Sequence, residues 1–355
     1  MRNGFTAVRR IFGFDQPGVG AALGAAVLFG CGTPLAKSLL RDLSPWLLAG
    51  LLYLGSGLGL AAYRSLRHTR QPRLLPGEVG WLIAAMVTGG VIAPVLLMVG
   101  LTEVPASTAS LLLNAEGVFT ALLAWFVFKE NFDRRIALGM AAILLGAAIL
   151  SSPSSLQPMN VRSVIAIFGA CAAWSIDNNL TRKVSLADAA WLAAVKGLAA
   201  GSVNLVLAVF TGASVPPWQS VGIAMAVGFL AYGVSLALFV VALRHLGTAR
   251  ASAYFSVAPF LGALFAVLGG EQITMQLLLA GSLMALGVWL HVTELHEHEH
   301  FHDALEHEHE HVHDFHHQHH DPPMAAGIRH THRHRHEPAQ HSHPHFPDAH
   351  HRHEH

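Results

Sequence analysis

Residues 106–128, ASTASLLLNAEGVFTALLAWFVF, run for 23 positions with a single charged side chain, Glu116. A helix needs about 20 apolar residues to cross the hydrocarbon core of a bilayer, and no proline interrupts this one. Similar stretches recur on either side, at 18–40, 45–63, 79–101, 135–150, 164–180, 187–210, 221–243, 252–268 and 273–292. Short joints carrying Arg, Lys, Pro or Gly separate them. The pattern predicts an all-α membrane protein of ten transmembrane helices. Composition agrees: 52% of residues are hydrophobic and 12% are charged, where a soluble domain carries about 25% charged residues.

The zero net charge conceals two unlike parts. Residues 1–295 hold 18 Lys and Arg against 11 Asp and Glu, a charge of +7. Residues 296–355 hold 4 Arg against 11 Asp and Glu, a charge of −7, together with 23 of the 26 histidines. The basic body does not read as a nucleic-acid binder, because its charges are dispersed between apolar runs. Cys31 and Cys171 are too few for a disulfide framework, lack zinc-site spacing, and read as small buried residues.

The distribution of Lys and Arg orients the spans, since cytoplasmic loops carry the excess. With the N-terminus inside, fourteen of these residues fall on inner segments: Arg2, Arg9, Arg10, Arg64, Arg67, Arg70, Arg73, Lys129, Arg134, Arg135, Arg182, Lys183, Arg244 and Arg250. Only Lys37, Arg41 and Arg162 fall outside. Both termini are therefore expected in the cytoplasm. Arg9 and Arg10 before an apolar run, and Leu28-Phe29-Gly30-Cys31, loosely resemble export signals, but a polytopic chain favours an uncleaved first span.

The two halves echo each other. Ala109-Ser110 matches Ala251-Ser252, Ala121-Leu122 matches Ala263-Leu264, Glu130 matches Glu271 and Gly146 matches Gly287. Leu35 and Lys37 likewise match Leu180 and Arg182. Five spans per half would make the repeats inverted, an architecture of transporters that places the substrate near the midplane. The run Thr108-Ala109-Ser110-Leu111-Leu112-Leu113-Asn114-Ala115-Glu116-Gly117-Val118-Phe119 with Glu130, and its second copy from Ala251-Ser252 through Ala258-Pro259-Phe260 to Gly270-Glu271, resembles the EamA family of the drug/metabolite transporter superfamily. The resemblance covers residues 17–293. It implies ten helices in two five-helix repeats, at 17–152 and 162–293, after a cytoplasmic segment 1–16. It also implies carriage of small organic solutes, commonly outward. Where the family often has Pro in the fourth span this chain has Gly117, whereas the second copy keeps Pro259.

Charges inside a span cost about 2.5–3.5 kcal/mol on insertion scales and mark functional sites by default. Glu116 sits mid-way along the fourth span with Asn114 beside it and Thr120 one turn on, and Lys196 sits mid-way along the seventh. These residues are expected to line the cavity and to bind substrate or a coupling proton; a Glu116–Lys196 ion pair that only fixes packing is the alternative. Asp177 and Trp174 share a face of the sixth span, a pairing suited to a cationic or zwitterionic solute, or equally an ordinary polar helix end. Tyr254 is a weaker candidate beside Ser256. Pro34, Pro94 and Pro259 lie inside spans, as kinks or beside a cavity. Gly20–Gly24, Gly55–Gly59 and Gly197–Gly201 have the spacing of close helix contacts.

The tail, 294–355, begins His296-Glu297-His298-Glu299-His300-Phe301-His302 and repeats the theme at His307, His309, His311 and His313. It has too few apolar residues to bury a core and is expected to be disordered, binding Zn, Ni or Co diffusely through imidazole and carboxylate. The HExxH matches at His296–His300 and His307–His311 follow from alternating His and Glu, and lack the helix and cleft of a peptidase. Imidazoles also make the tail responsive to pH.

The sequence thus reads as a non-enzymatic, multi-pass carrier of the bacterial inner membrane. It would move a small metabolite or drug by alternating access, with H+ as the coupling ion, no required cofactor, no nucleic-acid partner, and a homodimer as an admissible assembly. Divalent metal (Ni/Co/Zn) efflux, or a membrane-tethered metal sensor or store that does not transport, are the alternatives.

Overall fold

The structure, a computed structural model, describes residues 17–67, 77–128, 134–152, 160–184, 188–292, 299–302, 305–312, 329–336 and 339–342. The chain divides into two units, Met1–Glu294 and Leu295–His355. The cytoplasmic segment 1–16 expected from the sequence, and Glu130, lie outside the described residues.

The first unit is helical, with no strand among its described residues. Its helices are α1 (Pro17–Leu39), α2 (Pro45–Arg67), α3 (Glu78–Ala85), α4 (Ala93–Glu103), α5 (Ala106–Leu112), α6 (Ala115–Phe128) and α7 (Arg134–Ser151) in the first half. The second half has α8 (Val161–Lys183), α9 (Ala189–Phe210), α10 (Trp218–Val227), α11 (Ser235–Phe255), α12 (Ala258–Leu268) and α13 (Met275–Val292). Among the described residues six helical stretches are long and apolar enough to cross a membrane, at Gly18–Leu39, Pro45–Arg67, Glu78–Glu103, Ala106–Val127, Ala189–Phe210 and Trp218–Leu246. Ala137–Ser151, Ala258–Leu268 and Met275–Leu290 are shorter apolar helices. Val209, Phe210, Trp218, Leu268 and Met275 are each at least 70% exposed. Bare side chains of this size are the surface a lipid phase covers.

Two departures from uniform spans are paired between the halves. π-helical segments, Met86–Ile92 and Gly228–Val234, join α3 to α4 and α10 to α11. The run 106–128, expected as one helix, breaks at Leu113–Asn114, where the Asn114 amide donates to Leu111 O (3.0 Å) and competes with the helical ladder. In the second half a joint is expected near 244–251; instead α11 continues to Phe255, and the break comes at Ser256–Val257. No proline stands in 235–255 to stop that helix. Pro259 then occupies the first turn of α12, where its missing N–H costs nothing. The bend is therefore present in the first half with Gly117 in place of proline.

Contacts at the helix ends fall into two groups. Lys37 Nζ donates to Leu101 O and Thr102 O, and the Glu271 carboxylate accepts from the amides of Ala106 (2.8 Å) and Ser107 (2.9 Å). Ser220 Oγ donates to Asp42 (2.7 Å) and Ser163 Oγ to Glu103 (3.1 Å). All of these join segments that the Lys/Arg distribution assigns to the outer side. Arg64 pairs with Asp188, the N-cap of α9, joining two segments assigned to the inner side.

Glycines set how closely the helices approach. A Cβ on Gly57 would lie 2.4 Å from Leu198 N, one on Gly197 2.5 Å from Gly57 N, and one on Gly201 2.5 Å from Leu54 N, so α2 and α9 touch backbone to backbone. Gly55 meets Met225 O at 2.2 Å in the same way. Gly20 has nothing within 4 Å, so the Gly20–Gly24 pair expected to pack is not a close contact at that position.

In the second unit the described residues are four short strands. β1 (Glu299–His302) pairs antiparallel with β4 (Ala339–Ser342), and β2 (Leu305–Val312) with β3 (Arg329–His336). The register sets Glu306 opposite Arg335 and Glu308 opposite Arg333, with His307, His309 and His311 opposite His334, His332 and His330. Alternation of residue type has the period of a strand, and it brings opposite charges into register without an apolar core. His296, His298 and His313 lie outside the described residues.

Overpacking a tight contact costs about 1–3 kcal/mol. Gly197→Val should lower the thermal midpoint of the purified protein by about 5 °C or more, whereas Gly20→Ala should leave it unchanged; equal midpoints for the two variants would contradict the packing described.

Candidate functional site

Pro94 begins the local chemistry. It has no N–H, so the carbonyl of Gly90, four residues earlier, loses its helical partner. The π segment displaces a second carbonyl, because Ala93 N bonds to Thr88 O and bypasses Gly89 O. Carbonyls freed at membrane depth must be satisfied by neighbouring helices. Asn204 Nδ2 on α9 donates to Gly90 O (3.1 Å). Tyr53 OH on α2 (2.6 Å) and Trp174 Nε1 on α8 (3.1 Å) both donate to Gly89 O. One irregular turn thereby fixes side chains from three helices.

Those rings wall a cavity of about 60 Å³ between the two halves. Phe29, Tyr53 and Glu116 line it from the first half; Trp174, Asp177, Asn178, Tyr232, Phe239 and Phe255 line it from the second. The rings form a connected set. Phe29 stands edge-on to Trp174 and Tyr232, each 5.7 Å between centroids, and 5.3 Å from Phe255; Tyr53 lies 5.6 Å from Tyr232. Such edge-to-face geometry is favoured by the ring quadrupoles.

Two carboxylates reach this space in different states of pairing. Asp177 is 5% exposed and Lys196 1% exposed. Asp177 Oδ1 accepts from Lys196 Nζ at 2.5 Å and from Thr181 Oγ1 at 2.8 Å, and Lys196 Nζ also donates to Thr181 Oγ1 at 3.0 Å. The group forms a closed neutral triad of α8 and α9. Its other oxygen, Oδ2, lies where a Cβ on Gly89 would stand, 1.8 Å away, so only glycine fits at 89. Glu116 accepts from Asn178 Nδ2 at 2.7 Å and has no cationic partner among the described residues. Ser175 Oγ, bonded to Glu116 O (2.9 Å) and Cys171 O (2.7 Å), ties α6 to α8 beneath it.

Of the residues singled out from the sequence, Glu116, Trp174 and Asp177 line the cavity. Lys196, expected to line the cavity, stands behind Asp177 and pairs with it, so neither that expectation nor the alternative Glu116–Lys196 pair is met. The reason is spacing: α8 and α9 are sequence neighbours, which places 177 and 196 at facing levels. Asp177 is thus not a solvated helix end. Asn114 turns away, its amide on Leu111 O and 3.9 Å from Met284 Sδ. Its Oδ1, like Thr120 Oγ1, is buried without a partner among the described residues. Tyr254 packs with the α1–α11 cluster around Val19 and Leu243, and its neighbour Phe255 takes the cavity position. Phe29, Tyr53, Tyr232, Asn178 and Phe239 were not singled out. In an apolar run an aromatic carries no mark of its direction, although Pro94 with Gly89-Gly90 did mark the irregular turn. Among the described residues no group of three or more His, Cys, Asp or Glu could hold a metal ion.

A lipid-facing helical shell around an aromatic, carboxylate-bearing cavity defines a multi-pass membrane transport protein. The chain belongs to the EamA-like transporter family, whose model matches residues 16–152 and 161–293. It is 26% identical over 302 residues to an uncharacterized transporter of Methanothermobacter thermautotrophicus, covering 80% of this chain and 87% of the other. It is 25% identical over 241 residues to the uncharacterized inner membrane transporter YedA of Escherichia coli K12, covering 65% and 76%. A probable amino-acid metabolite efflux pump of Salmonella typhimurium is 26% identical over 176 residues, 46% of this chain and 52% of that one. A solved crystal structure shares the fold with a TM-score of 0.62 at 18% identity, covering 78% of this chain and 98% of the other.

Removing one partner of a buried ion pair costs about 3–5 kcal/mol, mostly for the charge left behind. Lys196→Met should therefore destabilise the purified protein strongly, and Asp177→Asn added to it should recover much of the loss. A double variant as unstable as Lys196→Met would show that the triad is not a coupled unit.

Proposed function

We propose that the protein exports a small organic solute across the bacterial inner membrane by alternating access, with protons as the coupling ion and both termini in the cytoplasm. The observation that carries this reading is Glu116: a carboxylate at membrane depth, in the cavity between the halves, held by an amide and, among the described residues, by no cation. A carboxylate so placed can exchange a proton for cargo, and retaining it there without such a use has a cost. Export is supported by the relative named as an efflux pump, and the inner membrane by YedA. The inverted-repeat mechanism is supported by the two π segments, which begin at 86 and 228, and by bends at 113–114 and 256–257. Matched irregularities allow the halves to exchange conformations. The helix-end contacts support the alternation of the spans, since each joins segments of like assignment, and the Lys/Arg distribution supports which side is cytoplasmic.

The His-rich tail is proposed to bind Zn, Ni or Co diffusely and to modulate the carrier. The body supplies no soft ligand set for a metal cargo among the described residues.

In proteoliposomes with an imposed proton gradient, solutes from a panel of amino-acid metabolites and amphiphilic amines should discharge the gradient, read with a pH-sensitive dye. Chain truncated after Glu294 should do so equally, and Glu116→Gln at least 10-fold more slowly. No solute-dependent signal would end the carrier reading, and an unaffected Glu116→Gln variant would remove Glu116 as its coupling site. In equilibrium dialysis the full chain should bind several Zn ions at micromolar concentration and the truncated chain none; equal binding would dismiss the tail.

A further inference from the structure

We infer that the cargo is an organic amine carrying one positive charge and no carboxylate; this rests on the carrier reading above and narrows it. The inference comes from counting donors, acceptors and charges that face the cavity.

The charge count leaves one negative group. Lys196 neutralises Asp177 within the triad, whereas Glu116 has only the Asn178 amide. A single cation balances an ionised Glu116; an anion or a dication does not. The walls favour the same occupant. Ring faces attract cations when both are removed from water, and Phe29, Trp174, Tyr232 and Phe255 form one contiguous aromatic surface.

The donor count separates an amine from an amino acid. A solute carboxylate needs N–H or O–H donors, or a cation, to replace its water. The lining donors are almost all engaged elsewhere. Tyr53 OH and Trp174 Nε1 are on Gly89 O, Asn178 Nδ2 is on Glu116, and Ser235 Oγ is on Ala25 O at 2.8 Å. Lys196, the one buried cation nearby, is bound to Asp177 and Thr181. The Tyr232 hydroxyl is the lining donor left without a bond among the described residues, and the rest on offer is acceptor: the carboxylate oxygens of Glu116 and the ring faces. An ammonium finds a charged partner here, whereas a carboxylate finds one neutral hydroxyl and a like charge. Pro94 is the origin of this asymmetry, because the carbonyl sites it helps to expose consume the polar tips of the aromatic side chains.

The test uses two probes that differ by one carboxylate, 2-phenylethylamine and phenylalanine, on the purified full-length protein. Saturable binding of the amine at least 10-fold tighter than that of phenylalanine is expected, with at least a 10-fold loss of amine affinity in Glu116→Gln and an unchanged thermal midpoint. Phenylalanine binding as tightly as the amine, or amine binding indifferent to Glu116→Gln, would overturn the inference. The carrier reading fails separately. If vesicles transport phenylalanine and not the amine, transport stands and the cargo class falls. If the amine binds through Glu116 and no solute crosses, the cargo class stands and transport falls.

Discussion

The requirement that every carbonyl at membrane depth find a donor governs the centre of this protein. Pro94 withdraws one N–H, the π turn before it bypasses another bond, and Gly89 and Gly90 are left with carbonyls to satisfy. Three donors on α2, α8 and α9 converge to meet them. The glycines that let α2 and α9 touch are part of the same arrangement, since Tyr53 and Asn204 reach the turn from helices in backbone contact. A substitution at the turn would thus be felt in helices remote in sequence.

This arrangement also explains how polar and apolar roles are divided. In an ordinary polar cleft Tyr and Trp present their hydroxyl and N–H groups to ligands. Here Tyr53 and Trp174 spend their polar tips on the protein's own backbone, and their rings are what faces inward. Asp177 and Lys196 are handled alike: their charges cancel against each other, with Thr181 bonded to both. Glu116 remains as the charged group without a cation among the described residues.

The sequence made the helical membrane class legible because span length and the Lys/Arg distribution are one-dimensional signals. The likeness of the halves, expected from Ala109-Ser110 with Ala251-Ser252, has a structural counterpart in the breaks at 113–114 and 256–257, each a few residues after those matched pairs. Glu116, Asp177, Trp174 and Lys196 stood out as polar or amphipathic residues where few belong. Which carboxylate Lys196 would meet was not legible, because both lay within reach of a mid-span lysine and only the packing of α8 on α9 distinguishes them. Phe29, Tyr232 and Phe239 were hidden among residues equally suited to lipid. The π segments were marked only by Pro94 and paired glycines in the first half, and by no proline in the second.

Gly89 has a consequence for the history of such chains. Its α-carbon leaves no room for a methyl group beneath the Asp177 carboxylate, so the two positions are bound as a pair across 88 residues of sequence. A lineage that gains alanine at 89 must first shorten the side chain at 177, which in turn strands Lys196. Three positions can therefore drift only in concert and in a particular order. In a collection of related sequences they should covary as a block, with glycine at 89 accompanying the acid at 177 and the base at 196.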